Sequence, residues 1–123
     1  MAVCQEYGIE SEVLPHIAMC FGGGMGLTGA TCGAFSGAVM ALGLVNGPAG
    51  NPDEFIKAML PVQELRRGFE EKMGTISCCE LVKVDLTKPE VFEEYINSDV
   101  PEKVCLPAVD TAYKLAMEIL AKK

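Results

Sequence analysis

The chain has no tryptophan and a single histidine, His16, in 123 residues. That leaves little room for imidazole-based catalysis. None of its six cysteines forms a CxxC pair, and no CxxCH occurs. The usual dithiol spacing and covalent haem attachment are both missing. Ten Lys and Arg stand against seventeen Asp and Glu, a net charge of −7, with no basic cluster. Such a chain is a poor ligand for nucleic acid or for an anionic membrane surface. No basic segment followed by an apolar one opens the sequence, which predicts a reducing, cytoplasmic setting where structural disulfides are uncommon.

Charge is also missing locally: residues 13–52 contain no Asp, Glu, Lys or Arg. A membrane span needs about 20 consecutive apolar residues in one helix. Gly22, Gly23, Gly24, Gly26 and Gly29 break any such helix. The continuous helical part, residues 31–45, is too short to cross a bilayer. It reads instead as the buried central helix of a soluble protein.

What remains is apolar and helical. Half of the residues are hydrophobic, enough for a core in one domain of this length without help from disulfides. A first helix ends near Tyr7 and Gly8. Met1 falls where that helix is already under way, so a preceding N-terminal piece is expected. Ser11 is the expected cap of a second helix, with Leu14, Ile17, Ala18 and Phe21 on its apolar face and Gly22 as its end. In the third helix Gly33, Gly37 and Ala41 form one small-residue stripe, with Ala30, Ala34 and Ala38 beside it. That predicts close approach by a neighbouring backbone, to offset about 1 kcal/mol lost per glycine.

Asn51, Pro52, Asp53 and Glu54 form a strong helix start, and that helix should run to Met73 with Pro61 inside it. Ser77 and Glu80 read as a capping box. Thr87 to Glu90 repeats the pattern. A final helix over residues 101–121 should bury Val104, Ala108, Ala112, Leu115, Ala116 and Ile119. Residues 81–86 alternate as a strand would, but one strand makes no sheet. The expected fold is therefore all-α, a single-domain helical bundle over residues 1–123 with a Gly/Ala-rich central helix.

Candidate chemistry lies in the cysteines and the glycines. Cys32, Cys78 and Cys105 each fall at or near a helix start, where free N–H groups and the helix dipole lower a thiol pKa. Cys79, beside Cys78, points about 100° away around its helix. Cys4 and Cys20 look like core residues. His16 and Cys20, four apart, are a possible metal pair. Residues 24–29 satisfy GxGxxG, but no parallel sheet surrounds them. The loop reads as a tight connection with positive φ angles, or as a cradle in which Gly22, Gly23, Gly24, Gly26 and Gly33 hold a cofactor or anion at a helix start.

Three blocks carry a resemblance: residues 21–26 (FGGGMG), residues 32–38 (CGAFSGA) with 40–44, and residues 69–74 (FEEKMG) followed by Cys78, Glu80-Leu81 and Cys105. In this order and spacing the chain resembles the redox-active family named for its C…GCAxxG…C…C cysteines, over nearly its whole length. The resemblance implies a small helical protein with redox chemistry or a bound metal centre. It matches Cys32, Cys78 and Cys105 to hallmark cysteines and leaves Cys79 as an extra. The first hallmark cysteine would lie before Met1, with Cys4 or Cys20 as stand-ins.

Three functions follow. In the first, Cys32, Cys78 and Cys105 converge beside residues 22–26. They either hold zinc or an iron–sulfur cluster or exchange electrons by thiol–disulfide chemistry. The metal option ranks higher because CxxC spacing is absent. In the second, the chain is a homo-oligomeric binding module whose glycine loop holds an anionic small molecule or nucleotide and whose cysteines are core residues. In the third, the chain is a structural partner subunit of a larger oxidoreductase, with its seven methionines and apolar balance suited to a buried interface.

Overall fold

Three long helices supply most of the buried core. The computed structural model describes residues 1–122. Within them lie α1 (Ala2–Glu6), α2 (Leu14–Met19), α3 (Gly22–Met25), α4 (Gly33–Asn46), α5 (Pro52–Met73), α6 (Cys78–Val82), α7 (Pro89–Asn97), a π-helical turn (Pro101–Cys105) and α8 (Leu106–Ala121). Among the described residues there is no strand, only an isolated antiparallel bridge between Thr31 and Ser77. The protein is an all-α bundle.

Helix α5 starts as its sequence dictates. The Asn51 side chain accepts a hydrogen bond from the Glu54 N–H at 2.9 Å, with Pro52 in the first turn. Gly74, in the left-handed region at φ 89°, ends it. Helices α4, α5 and α8 pack on one another, and α1 lies against α4 and α8. Phe69, Leu42 and Leu65 are completely enclosed, and Phe35 meets Phe69 with ring centroids 5.7 Å apart. On α8, Ala108, Ala112, Leu115, Ala116 and Ile119 are buried as the helical period requires, while Val104 is half-buried on the π-helical turn. At Gly68 of α5 an added Cβ would lie 3.0 Å from the Leu115 side chain of α8. At Gly37 of α4 the same atom would meet nothing within 4 Å. The small-residue stripe of α4 is central, but at Gly37 no neighbouring backbone closes on it.

Several local expectations are corrected. Helix α2 buries none of its residues, and Val13, Ile17 and Met19 stand exposed. The chain turns away at Cys20, two residues before Gly22, because left-handed Gly23 and Gly24 fold residues 22–25 into a separate turn. Ser11 does not cap α2; its hydroxyl accepts from the Val13 N–H, outside the helix. Residues 81–86 form no strand. Ser77 starts α6, and Lys83 at φ 62° reverses the chain. Thr87 does not cap α7, since both its N–H and its hydroxyl donate to the Asp85 carboxylate. The last helix does not begin as a regular α-helix at residue 101. Pro107 lacks an N–H, so a regular ladder would lose a donor there. The chain widens instead, and the Leu106 N–H reaches back to the Pro101 carbonyl. No helix among the described residues is long and apolar enough to cross a membrane.

Candidate functional site

Two extended backbone pieces meet at one end of the bundle and set the geometry of the cysteines. The Cys32 N–H donates to the Ile76 carbonyl at 2.6 Å, and the Cys78 N–H donates to the Ala30 carbonyl at 2.6 Å. Thr31 thus faces Ser77. In that register Cys78 lies two residues beyond the partner of Cys32, so both side chains fall on the same face of the paired segments. The Cys79 N–H adds a third bond, to the Gly29 carbonyl at 3.0 Å.

Glycine makes this contact possible. Gly24 sits at φ 71°, and a Cβ there would lie 2.6 Å from Cys78 Cβ and 2.7 Å from the Ala30 nitrogen. A Cβ on Gly29, at φ 73°, would lie 2.8 Å from Cys79 Cβ. Any side chain at either position would lift the loop off α6. The loop is the tight left-handed connection expected, and α6 is what it packs against.

Helix α6 is capped by Ser77, whose Oγ accepts from the Glu80 N–H at 3.4 Å. The expected reciprocal bond from Glu80 goes elsewhere. Its carboxylate accepts from the Thr75 hydroxyl at 2.5 Å, and Thr75 Oγ1 accepts the Ser77 N–H at 3.0 Å.

The third cysteine arrives from the other side. Cys105 closes the π-helical turn and packs, with Tyr95 of α7, against Cys78, Val82 and Leu86. The Tyr95 hydroxyl lies 2.8 Å from Cys105 Sγ. Cys78 is buried, while Cys32 and Cys105 are half-buried.

Electrostatics separate Cys78 from its neighbours. Burial, then the nearby sulfurs of Cys32, Cys105 and Cys79, push its thiol up to about 11. Position at a helix start predicts the opposite direction. Helix α6 has only five residues, and desolvation of a buried thiolate outweighs its small dipole. The Tyr95 phenol is also raised, first by burial, then by its hydrogen bond to Cys105 and by the charges of Cys105, Cys78 and Cys32. Cys32, Cys105 and Cys79 therefore stand close enough to Cys78 to disfavour its thiolate.

The remaining cysteines stand apart from this group or at its edge. Cys4 is buried in α1. Cys20, expected in the core, is exposed at the end of α2. Neither is among the thiols acting on Cys78. Cys79 is exposed, with its sulfur 3.5 Å from Ser77 Oγ. His16 is exposed as well. Among the described residues no three or more His, Cys, Asp or Glu side chains are arranged to hold a metal ion. The Cys32, Cys78 and Cys105 set thus does not offer a ready-made zinc or cluster cage in this conformation.

Gly22, Gly23 and Gly26 line an apolar cleft of about 670 Å³, with Cys20, Phe92 and Tyr95 on its walls. Gly24 lies beneath, against Cys78, and Gly33 opens α4 with its Cβ position 3.1 Å from the Phe21 carbonyl oxygen. The N–H groups of Met25, Gly26, Leu27, Gly29 and Ala30 all donate to carbonyls of residues 20–24. These five donors are taken up within the loop itself. Tyr95 is the site residue that sequence reasoning missed. It lies ten positions before Cys105 on another element, and no local pattern joins them.

A helical bundle with a cysteine cluster at one end defines a small thiol protein. The chain belongs to the family described as "Putative redox-active protein (C_GCAxxG_C_C)", whose model matches residues 1–119. Neither a curated protein nor a solved structure matches the chain.

Proposed function

We propose that this protein carries electrons by thiol–disulfide exchange, with Cys78 as the shared member of a three-cysteine relay. The observation that carries this reading is the gathering of Cys32 and Cys105 about the buried Cys78, through the crossing of residues 30–32 with 76–78 and the packing of Cys105 against Cys78, in a family described as redox-active. Two of these thiols join in one disulfide and release two electrons and two protons. A disulfide on a partner protein or small thiol takes them up and becomes two thiols. Cys78 is protonated at neutral pH and shielded, so it serves as the inner sulfur. Cys32 and Cys105, half-buried, face the partner. CxxC spacing is not required, because the paired segments 30–32 and 76–78 bring Cys32 and Cys78 to one face.

The cleft beside Tyr95, with exposed Met19 of α2 on its wall, is where a partner would approach. The same reading suits a reducing cytoplasm, where exchangeable thiols stay reduced.

The test is a thiol count before and after equilibration with a disulfide redox buffer, together with metal analysis of anaerobically purified protein. The expected result is loss of two reactive thiols in wild type and none in Cys78→Ser, with no stoichiometric metal. Iron or zinc near one per chain that vanishes in Cys32→Ser would overturn the exchange reading in favour of a metal centre.

A further inference from the structure

Tyr95 is the only non-cysteine side chain that hydrogen-bonds a sulfur of the relay among the described residues. Its ring is held by Phe92, with centroids 6.1 Å apart, and by the small apolar cluster around Cys78, Val82 and Leu86. The hydroxyl lies 2.8 Å from Cys105 Sγ. We propose that Tyr95 is a positioning residue that makes Cys105 the leaving sulfur of the relay, by donating its phenolic proton in a hydrogen bond to the departing thiolate.

This inference rests on the exchange reading and assigns a direction within it. Starting from a Cys78–Cys105 disulfide, the Cys32 thiolate attacks the Cys78 sulfur. A Cys32–Cys78 bond forms and the Cys78–Cys105 bond breaks. The electron pair of the broken bond stays on Cys105, which becomes a thiolate. No electrons enter or leave, and no proton is transferred. Tyr95 keeps its proton and shares it with the new thiolate through the hydrogen bond. A lower-energy leaving thiolate departs faster. Hydrogen bonds to a charged acceptor are about twice as strong as neutral ones.

The phenol must stay neutral to act as a donor, and its surroundings hold it so. Burial and the neighbouring sulfurs all disfavour the phenolate. The titratable groups acting on the pair are Cys78 of α6 and Cys32 before α4. On the π-helical turn itself Lys103 is exposed and bound to Asp99 at 2.8 Å, and Glu102 is exposed too.

The test follows alkylation of Cys105 by iodoacetamide in the fully reduced full chain, mapped by mass spectrometry across a pH series. Tyr95→Phe keeps the ring and removes the donor. The expected result is about tenfold slower alkylation of Cys105 at pH 7 in Tyr95→Phe, with its rise displaced to more alkaline pH. Phe92→Leu disturbs the packing but keeps the hydroxyl, and should leave the pH profile in place. Incorporating 3-fluorotyrosine at position 95, a more acidic and stronger donor, should displace the profile the other way. An unmoved Cys105 profile in Tyr95→Phe, in protein that still forms a disulfide at Cys78, overturns the inference and leaves the exchange reading intact. No disulfide at Cys78 in wild type overturns the exchange reading itself.

Discussion

The two ends of this molecule are built on different physics. The α4, α5 and α8 end is held by apolar side chains at helical spacing, with Phe69, Leu42 and Leu65 enclosed. The cysteine end is held by backbone: three short hydrogen-bonded crossings between residues 29–32 and 76–79, and glycines that a methyl group would exclude. The first end tolerates repacking as long as volume is kept. The second has a smaller apolar cluster around Cys78, Val82 and Leu86, and close backbone contacts set its geometry.

The comparison is broken most directly in the core. Phe69→Ala should destabilise the fold by about 3–5 kcal/mol, through lost burial and a cavity beside Phe35. Chemical denaturation measures this, and a loss under 1 kcal/mol would remove Phe69 from the centre of the account. Any folded remainder should keep the same cysteine connectivity on oxidation.

Gly24→Ala tests the other end. Its methyl would press on Cys78 Cβ and the Ala30 nitrogen in a left-handed conformation, costing about 3 kcal/mol. It should also part Cys78 from Cys32. Gly37→Ala, on the same chain but facing open space, should be neutral or stabilise by up to about 1 kcal/mol. Equal effects of the two substitutions would erase the distinction between the ends.

Alkaline pH should act chiefly on the cysteine end. Cys78 has a folded value of about 11 against an ordinary 9.0, so the unfolded chain ionises first. Its contribution is fully present below about pH 9 and is lost as pH rises from 9 towards 11. Cys78→Ala should remove the part due to Cys78, a fall on the order of 2 kcal/mol by pH 10.5, and leave the smaller fall of the same sign from the raised Tyr95 phenol. Denaturant midpoints measured at pH 8 and 10.5 give the comparison.

The smallest expected effect is at the far start of α5. Asn51→Ala removes the cap on the Glu54 N–H and should cost about 1 kcal/mol, leaving thiol reactivity untouched. A change in the cysteines on this substitution would mean the two ends are coupled.

The core was legible in the sequence because side-chain periodicity reports burial directly. The α8 face and the start and stop of α5 are where Ala108, Ala112, Leu115, Asn51 and Gly74 put them. The cysteine end was legible only as a set of residues. Cys32, Cys78 and Cys105 could be singled out, but the crossing of Ala30 with Cys78 is a contact between distant segments that no spacing reveals. Position at a helix start gave the wrong direction for Cys78, because dipole strength depends on helix length and desolvation on burial, and the latter is tertiary. The π-helical turn at Cys105 and the hydroxyl of Tyr95 behind it depend on α7 folding back, which local pattern does not encode. Glycine was the partial exception: the run at residues 22–29 announced positive φ angles correctly, though not that α6 would rest on it.

The most direct test is disulfide mapping of the protein after oxidation in a thiol–disulfide buffer, by peptide mass spectrometry with free thiols blocked in acid. The account predicts a single intramolecular disulfide containing Cys78, joined to Cys32 or Cys105, with Cys4, Cys20 and Cys79 blocked as free thiols. Oxidised protein in which Cys78 remains a free thiol would contradict it.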